Sequence, residues 1–487
     1  MTAKANEIDI PALIDANKLS GFQIWILILV GLTVLIDGFD VQAMGYVAPA
    51  IIQDWGVSKG SLGPVFGAGL FGMLVGSLSL SVLADKIGRR PVLIGSSLFF
   101  SICMLATAWT TTIAQLEVIR FITGLGLGAI MPNAMALAGE YSPKRNRVTL
   151  MMLVSCGFTV GAVLGGLLAS VLIPAFGWRS VFYVGGAIPL AMAVLMYLLV
   201  PESLQFLVLR GLRLDIVADC LRKIAPDVSI NGATRYVVAE TSQSGAPVAE
   251  LFRHGRAATT VLLWVVNFMN LLNLYFLSNW LPTIAKDAGL STSVAVLVGT
   301  ALQVGGVIGT VLMGPIIDRI GFFKLLVPSF LVAAVTIVLI GQPGIPLPML
   351  FVVVLITGFC IVGGQPAVNA LAGTYYPTKL RSTGIGWSLG VGRIGSIVGP
   401  VLGGELIRMN WSNSDIFIAV AVPAAVSAVM LLLMGTGGRR EGASVPTMSA
   451  GPVSHRFERR EMSAFGQLRH DCATCLPWWR APSRPHD

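Results

Sequence analysis

Two carboxylates, Asp37 and Asp40, stand three residues apart in an apolar run that starts at Phe22 and continues to about Met44. An ionised side chain inside a bilayer costs roughly 3 kcal/mol or more, so acids held there usually carry function. At i and i+3 the two lie on one helix face. Their mutual repulsion favours a state in which one of them keeps a proton. Taking up and releasing a proton inside a membrane is the chemistry of proton-coupled movement. The plainer alternative is that Asp40 marks the helix end and Asp37 reaches water.

Three further groups have chemical potential. Arg120 lies about 9 Å below the outer surface of its own run, and Asp37 about 22 Å up a ~30 Å core, so the two come to a similar depth and can neutralise one another. Arg393, flanked by Gly390, Gly392 and Gly395, falls close to mid-depth with no acid nearby in its own helix. It is suited to a substrate carboxylate, or else to an aspartate of another helix. Asn267, Asn270 and Asn273 recur at three-residue steps beside Tyr275. They make either a polar stripe facing a cavity, where the ring could stack on a planar ligand, or a set of helix–helix hydrogen bonds.

The elements that position these residues follow from composition. Of 487 residues, 55% are hydrophobic and only 12% charged, half the charge of an ordinary soluble domain, which points to a polytopic membrane protein. Apolar runs long enough to cross a bilayer lie near 22–42, 61–83, 91–110, 114–139, 148–172 and 178–200, and again near 258–282, 293–317, 323–342, 347–373, 382–407 and 414–435. The expected plan is an all-α protein of twelve transmembrane helices. It comprises an N-terminus (1–21), a six-helix bundle (22–200), a central loop (201–257), a second six-helix bundle (258–435) and a basic tail (436–487). Lys86, Arg89, Arg90, Lys144, Arg145, Arg147, Arg319, Lys324, Lys379 and Arg381 fall on one side; only Lys59, Arg179, Lys286 and Arg408 fall on the other. The richer side is expected to be cytoplasmic, with both termini on it.

The halves repeat one another. A shift of 234 carries Gly124 to Gly358, Pro132 to Pro366, Tyr141 to Tyr375, Pro143 to Pro377 and Arg147 to Arg381. Asp85 and Gly88 map to Asp318 and Gly321 at 233, and Gly157, Gly161, Gly165 and Gly166 to Gly395, Gly399, Gly403 and Gly404 at 238. An even number of spans per half keeps the copies parallel, as in transporters whose halves rock about a central site.

Enzyme motifs carry nothing. Gly56-Val-Ser58-Lys-Gly60 has the spacing of a nucleophile elbow but lies in a loop without strand-to-helix context. All four histidines lie outside the spans, so no buried Ser–His pair is available. Cys472 and Cys475 form a single half-site in the tail, and no metal or other cofactor is expected.

Ser81-Val-Leu-Ala-Asp85-Lys86-Ile-Gly88-Arg89-Arg90-Pro91 resembles the signature loop of the major facilitator superfamily, with Ser81 in place of its first glycine. The second copy keeps that glycine as Gly314 but has Phe322-Phe323 instead of the basic pair. Asp37-Gly-Phe-Asp40, with Arg120, Glu140, Pro201-Glu202-Ser203, Arg381 and Arg393, is similar to the aromatic acid:proton symporter family. Gln205 departs from it where an arginine commonly follows.

The resemblance implies the major facilitator fold in a bacterial cytoplasmic membrane, and import of a benzoate- or hydroxybenzoate-like anion with protons by alternating access. The proton gradient would be the energy source, and no nucleic acid is implied. Proton coupling falls to Asp37, Asp40 and Arg120, and the substrate to Arg393, Asn267, Asn270 and Tyr275. A gate at the cytoplasmic side comprises Asp85, Arg89, Arg90, Glu140, Asp318 and Arg381, with Asp85 expected to cap a neighbouring helix and pair with arginine. Carriage of another organic anion or a sugar, export, and ligand sensing without transport are the alternatives.

Overall fold

The computed structural model describes residues 7–226, 228, 234–238, 248–253, 255–376 and 378–442. Pro377, the four histidines, Cys472 and Cys475 lie outside the described residues. A strand β1 (Glu7–Asp9) and a short helix α1 (Ile10–Ala16) precede α2 (Gly21–Trp55), and α3 (Leu62–Ile87), α4 (Arg89–Thr107), α5 (Ile113–Leu127), α6 (Ile130–Tyr141), α7 (Arg147–Phe176) and α8 (Arg179–Leu199) complete the first half. The connection carries α9 (Leu204–Arg210), α10 (Leu214–Ile224) and β2 (Arg235–Val237). The second half comprises α11 (Ala257–Asp287), α12 (Thr292–Ile320), α13 (Phe322–Ile340), α14 (Leu347–Ile361), α15 (Gly364–Tyr375), α16 (Thr378–Arg408) and α17 (Asn413–Gly442). With α5 joined to α6 and α14 to α15 as single crossings, 12 helices among the described residues are long and apolar enough to span a membrane. The chain is a multi-pass membrane protein.

Helix α2 shows how sequence and packing divide the work. Ser20 opens it with a capping box, its hydroxyl accepting from the Gln23 N–H while the Gln23 side chain accepts from the Ser20 N–H. Gly56, at φ 62°, closes it in the left-handed conformation that glycine tolerates best. The helix therefore runs well past the expected end near residue 42. Pro49 forfeits one ladder bond, but Tyr46, Val47, Ala48 and Ile51 are all at most 1% exposed, and their packing keeps the helix intact. Asp37 and Asp40 consequently sit near its middle, and the reading of Asp40 as a helix end is excluded.

The repeat is visible in the backbone. Gly88 and Gly321 both take positive φ (106° and 87°) between consecutive helices. The crossings α5–α6 and α14–α15 break at corresponding places, after Leu127 and Ile361. Pairing of α2 with α7 is matched by α11 with α16, and α3 with α5 by α12 with α14. The glycines of these pairs admit backbone contact: a methyl at Gly38 would overlap the Phe158 carbonyl, and one at Gly161 the Leu35 carbonyl. Gly395 and Gly399 stand in the same way against Phe268 and Leu272. Gly38→Ala is expected to force α2 from α7 and to cost about 1–3 kcal/mol, read as a lower melting temperature of the purified protein.

Two ends of the bundle can be distinguished. The terminal face carries β1, α1 and the central connection; the opposite face carries the loop after α2. At the opposite face the halves are joined by the Lys59 Nζ–Asp287 Oδ2 pair (2.6 Å) and by Ser293 Oγ donating to the Ser170 carbonyl (2.9 Å). Nearby, Gly63 meets Gly404 backbone to backbone, and Phe66 packs edge-on against Trp280. These contacts hold the two halves together at this face.

Candidate functional site

The acids of α2 are almost wholly buried, Asp37 at 1% and Asp40 at 0% exposure. Asp40 is neutralised by Arg120 of α5, with Nη1 3.3 Å from Oδ1 and Nη2 3.4 Å from Oδ2. Nη2 also donates to the Asp40 backbone carbonyl at 3.4 Å. Counting residues from the surface put Arg120 level with Asp37; the pair forms with Asp40, about one turn further along. A lining cavity of about 20 Å³, bounded by Arg120, Gly69, Met73 and Asn279, has room for a single water.

Asp37 is different. Neither of its carboxylate oxygens has a hydrogen-bond partner. The charge that reaches it from the other half is that of Arg393, which acts also on Tyr275. Arg393 is half-buried, and among the described residues its guanidinium makes no hydrogen bond or ion pair. Gly392 fits against Asn267 and Leu271, and Gly395 against Phe268, so α16 lies close on α11. Asp37 of α2 and Tyr275 of α11 thus both lie within range of the Arg393 charge on α16, with no direct ion pair between acid and base among the described residues.

Asn267 and Asn270 are fully buried and turned to neighbouring helices. Asn267 donates to Ser388 Oγ (2.6 Å) and accepts from Gln365 Nε2 (3.0 Å), while Asn270 donates to Gln365 Oε1 (2.6 Å) and to the Ile361 carbonyl (3.2 Å). Asn273, its amide oriented to suit its neighbours, bridges the α17 backbone at Val420 and Ala424 beside Pro423. The contacts are those of helix–helix hydrogen bonding, with one acceptor, Asn270 Oδ1, left without a partner. Gln365, the centre of this network, was not singled out from sequence. The signal was available: at the shift of 234 it corresponds to Met131 of the first half, so one copy carries an amide where the other carries an apolar chain.

At the terminal face the expected gate residues divide. Arg89 pairs with Glu140, whose Oε2 also accepts from Ser203 Oγ at 2.5 Å. Glu202, not Asp85, caps α4: its Oε1 accepts from the backbone N–H groups of Arg89 (3.0 Å), Arg90 (3.1 Å) and Ser203 (2.8 Å). Gly88 makes room for it, since a methyl there would overlap the Glu202 carboxylate. Asp85 sits on the last turn of α3, exposed and without a direct ion pair among the described residues; its backbone carbonyl accepts from Arg210. Arg90 donates to the Tyr197 carbonyl and lies over that ring. Asp318 and Arg381 are exposed, with no ion pair among the described residues.

The sequence profile of the Major Facilitator Superfamily matches residues 30–208 and 263–476. The chain is 40% identical over 429 residues to the 4-hydroxybenzoate transporter PcaK of Pseudomonas aeruginosa, covering 88% of this chain and 96% of that one. It is 38% identical to a gallate transporter of Pseudomonas putida (88% and 95% covered) and 31% identical to a benzoate transport protein of Acinetobacter baylyi (88% and 93%). Among solved structures, a bacterial homologue of the human lysosomal transporter Spinster superposes with a TM-score of 0.67 at 17% identity, covering 85% of this chain and 97% of the other. That likeness is one of fold. The chain belongs to the major facilitator superfamily, a family of membrane transporters and not of enzymes, and within it to the aromatic-acid transporters.

Proposed function

We propose that the protein imports an aromatic carboxylate of the benzoate or hydroxybenzoate class together with a proton, by alternating access, across a bacterial cytoplasmic membrane. The observation that carries this reading is Asp37, an acid at mid-helix with both oxygens unpartnered and with Arg393 as its counter-charge from the other half. In the empty carrier the two charges offset one another. When a substrate carboxylate takes Arg393, Asp37 is left without a counter-ion and takes a proton, so substrate and proton enter as one neutral set. Tyr275 supplies a ring beside the carboxylate, against which the aromatic plane packs. Asp40 and Arg120 already neutralise each other and hold α2 against α5 while the halves move.

The names and identities of the relatives support the substrate class, and the basic bias of the terminal face supports its placement in the cytoplasm. One proton per monoanion moves no net charge, so uptake is driven by the pH gradient and not by the membrane potential.

The experiment is uptake of radiolabelled 4-hydroxybenzoate into proteoliposomes, alkaline inside, with the potential clamped or imposed. Accumulation that follows the pH gradient and ignores the potential supports the reading. Failure to accumulate any aromatic acid, or hexose outcompeting benzoate, would overturn it. Arg393→Gln removes a charged hydrogen-bond partner of the carboxylate. It is expected to raise the half-saturating concentration about 10- to 100-fold, checked by substrate binding to the purified protein.

A further inference from the structure

A second site lies away from the transport path, where the first half meets the membrane surface at the terminal face. The end of α8, the start of α4 and helices α9 and α10 enclose a pocket of about 630 Å³. Three basic side chains, Arg90, Arg213 and Lys223, line it. Lys223 and Arg213 make no ion pair among the described residues; the Lys223 ammonium lies 5.2 Å from the centre of the Phe22 ring. The Nε of Arg90 is buried without a partner.

Two acids also line the pocket, and both are engaged. Glu202 accepts three backbone N–H groups, and Asp219 pairs with Arg222 at 2.8 Å. Burial pushes the Cys220 thiol in the wall up to about 11, which leaves it neutral and apolar. With Asp219 neutralised by Arg222, three cations face the one carboxylate of Glu202, and the pocket keeps a net positive charge.

Ile87, half-exposed at the end of α3, lines this pocket and a second one beside it. The second, of about 390 Å³, is an apolar groove between α3, α4 and the end of α5, walled by Leu83, Val92, Phe99 and Leu125. It follows α3 from Ile87 to Ser79, about 12 Å along the helix axis. A basic pocket that meets an apolar groove at Ile87, the groove lying along a membrane-spanning helix, matches a ligand that is anionic at one end and a long chain at the other.

We infer that this is a binding site for one anionic phospholipid, with its phosphate held by Arg90, Arg213 and Lys223 and an acyl chain in the groove below Ile87. A free phosphate would use the same three cations, but it would leave the groove empty. Basic pockets of this kind on the cytoplasmic side of membrane helices are suited to anionic headgroups.

The test uses the full chain, purified in detergent and titrated with phosphatidylglycerol, phosphatidylcholine or glycerol phosphate, with bound lipid read by native mass spectrometry. Phosphatidylglycerol is expected to bind in preference to the other two. The double variant Arg213→Gln, Lys223→Gln is expected to weaken it about 25-fold, fivefold for each charge removed. Gly95→Leu fills the groove from a position where an added Cβ meets open space, and an unchanged melting temperature checks that the variant folds. It is expected to weaken phosphatidylglycerol at least tenfold. Equal binding of phosphatidylcholine, or indifference to both variants, would overturn the site. Tight binding of glycerol phosphate that Gly95→Leu leaves unchanged would make it a site for soluble anions and overturn the lipid assignment.

Discussion

Asp37→Asn is expected to abolish accumulation of 4-hydroxybenzoate while sparing exchange of labelled for unlabelled substrate. A pH difference of one unit is worth ~1.4 kcal/mol, or a tenfold concentration ratio. At one proton per substrate, the wild type should concentrate its substrate about tenfold across such a gradient. Asparagine has the shape of the protonated acid and cannot release the proton, so the loaded carrier still forms and turns over. Its empty return leaves Arg393 without a counter-charge, so net movement stalls and the final ratio approaches one. Internal-to-external ratio and counterflow rate, measured in the same liposomes, separate this from a misfolded protein, which would lose both. An asparagine variant that still concentrates substrate tenfold would remove Asp37 from the coupling step.

The second large effect is on stability. Arg120→Gln strands the Asp40 carboxylate at 0% exposure. Breaking a buried ion pair on one side costs about 3–5 kcal/mol, because the remaining charge is left uncompensated. The single variant should be recovered poorly and melt well below the wild type. Asp40→Asn with Arg120→Gln removes both charges and should regain most of the lost melting temperature. A double variant no better than the single would show that the pair does more than neutralise itself. The contrast with Asp37, where one substitution leaves folding intact, is the sharpest way to tell the coupling acid from the structural one.

Much of the fold was legible because the bilayer imposes it. Twelve apolar runs, the glycine spacing of the helix contacts and the Gly88–Gly321 correspondence all read directly from sequence, since a crossing helix must be long, apolar and internally hydrogen-bonded. The interior of the site was less legible. Asp37, Asp40, Arg120 and Arg393 stood out because charges are rare in such runs, but which acid meets which arginine depends on helix rotation and tilt. A residue count along each helix gives depth only to within a turn, the distance separating Asp37 from Asp40. The asparagines of α11 show a related limit: three-residue spacing defines a face, while the neighbour that covers it, here Gln365, comes from a segment almost a hundred residues away. Glu202 entered the sequence reading only through the family resemblance, and its capping of α4 escaped for the same reason. Its role depends on the space left by Gly88, visible only once α3, α4 and the end of α8 are placed together.

Strands β1 and β2 pair in parallel, with Glu7 opposite Arg235 and Asp9 opposite Val237. The first strand therefore leaves the ribosome long before its partner exists. At about 5–20 residues per second, the interval is roughly 10–45 s, during which all six helices of the first half are made. The clasp can close only around a finished half, so it marks completion of that unit during biosynthesis. A chain released after α8 would leave residues 7–9 without a partner strand.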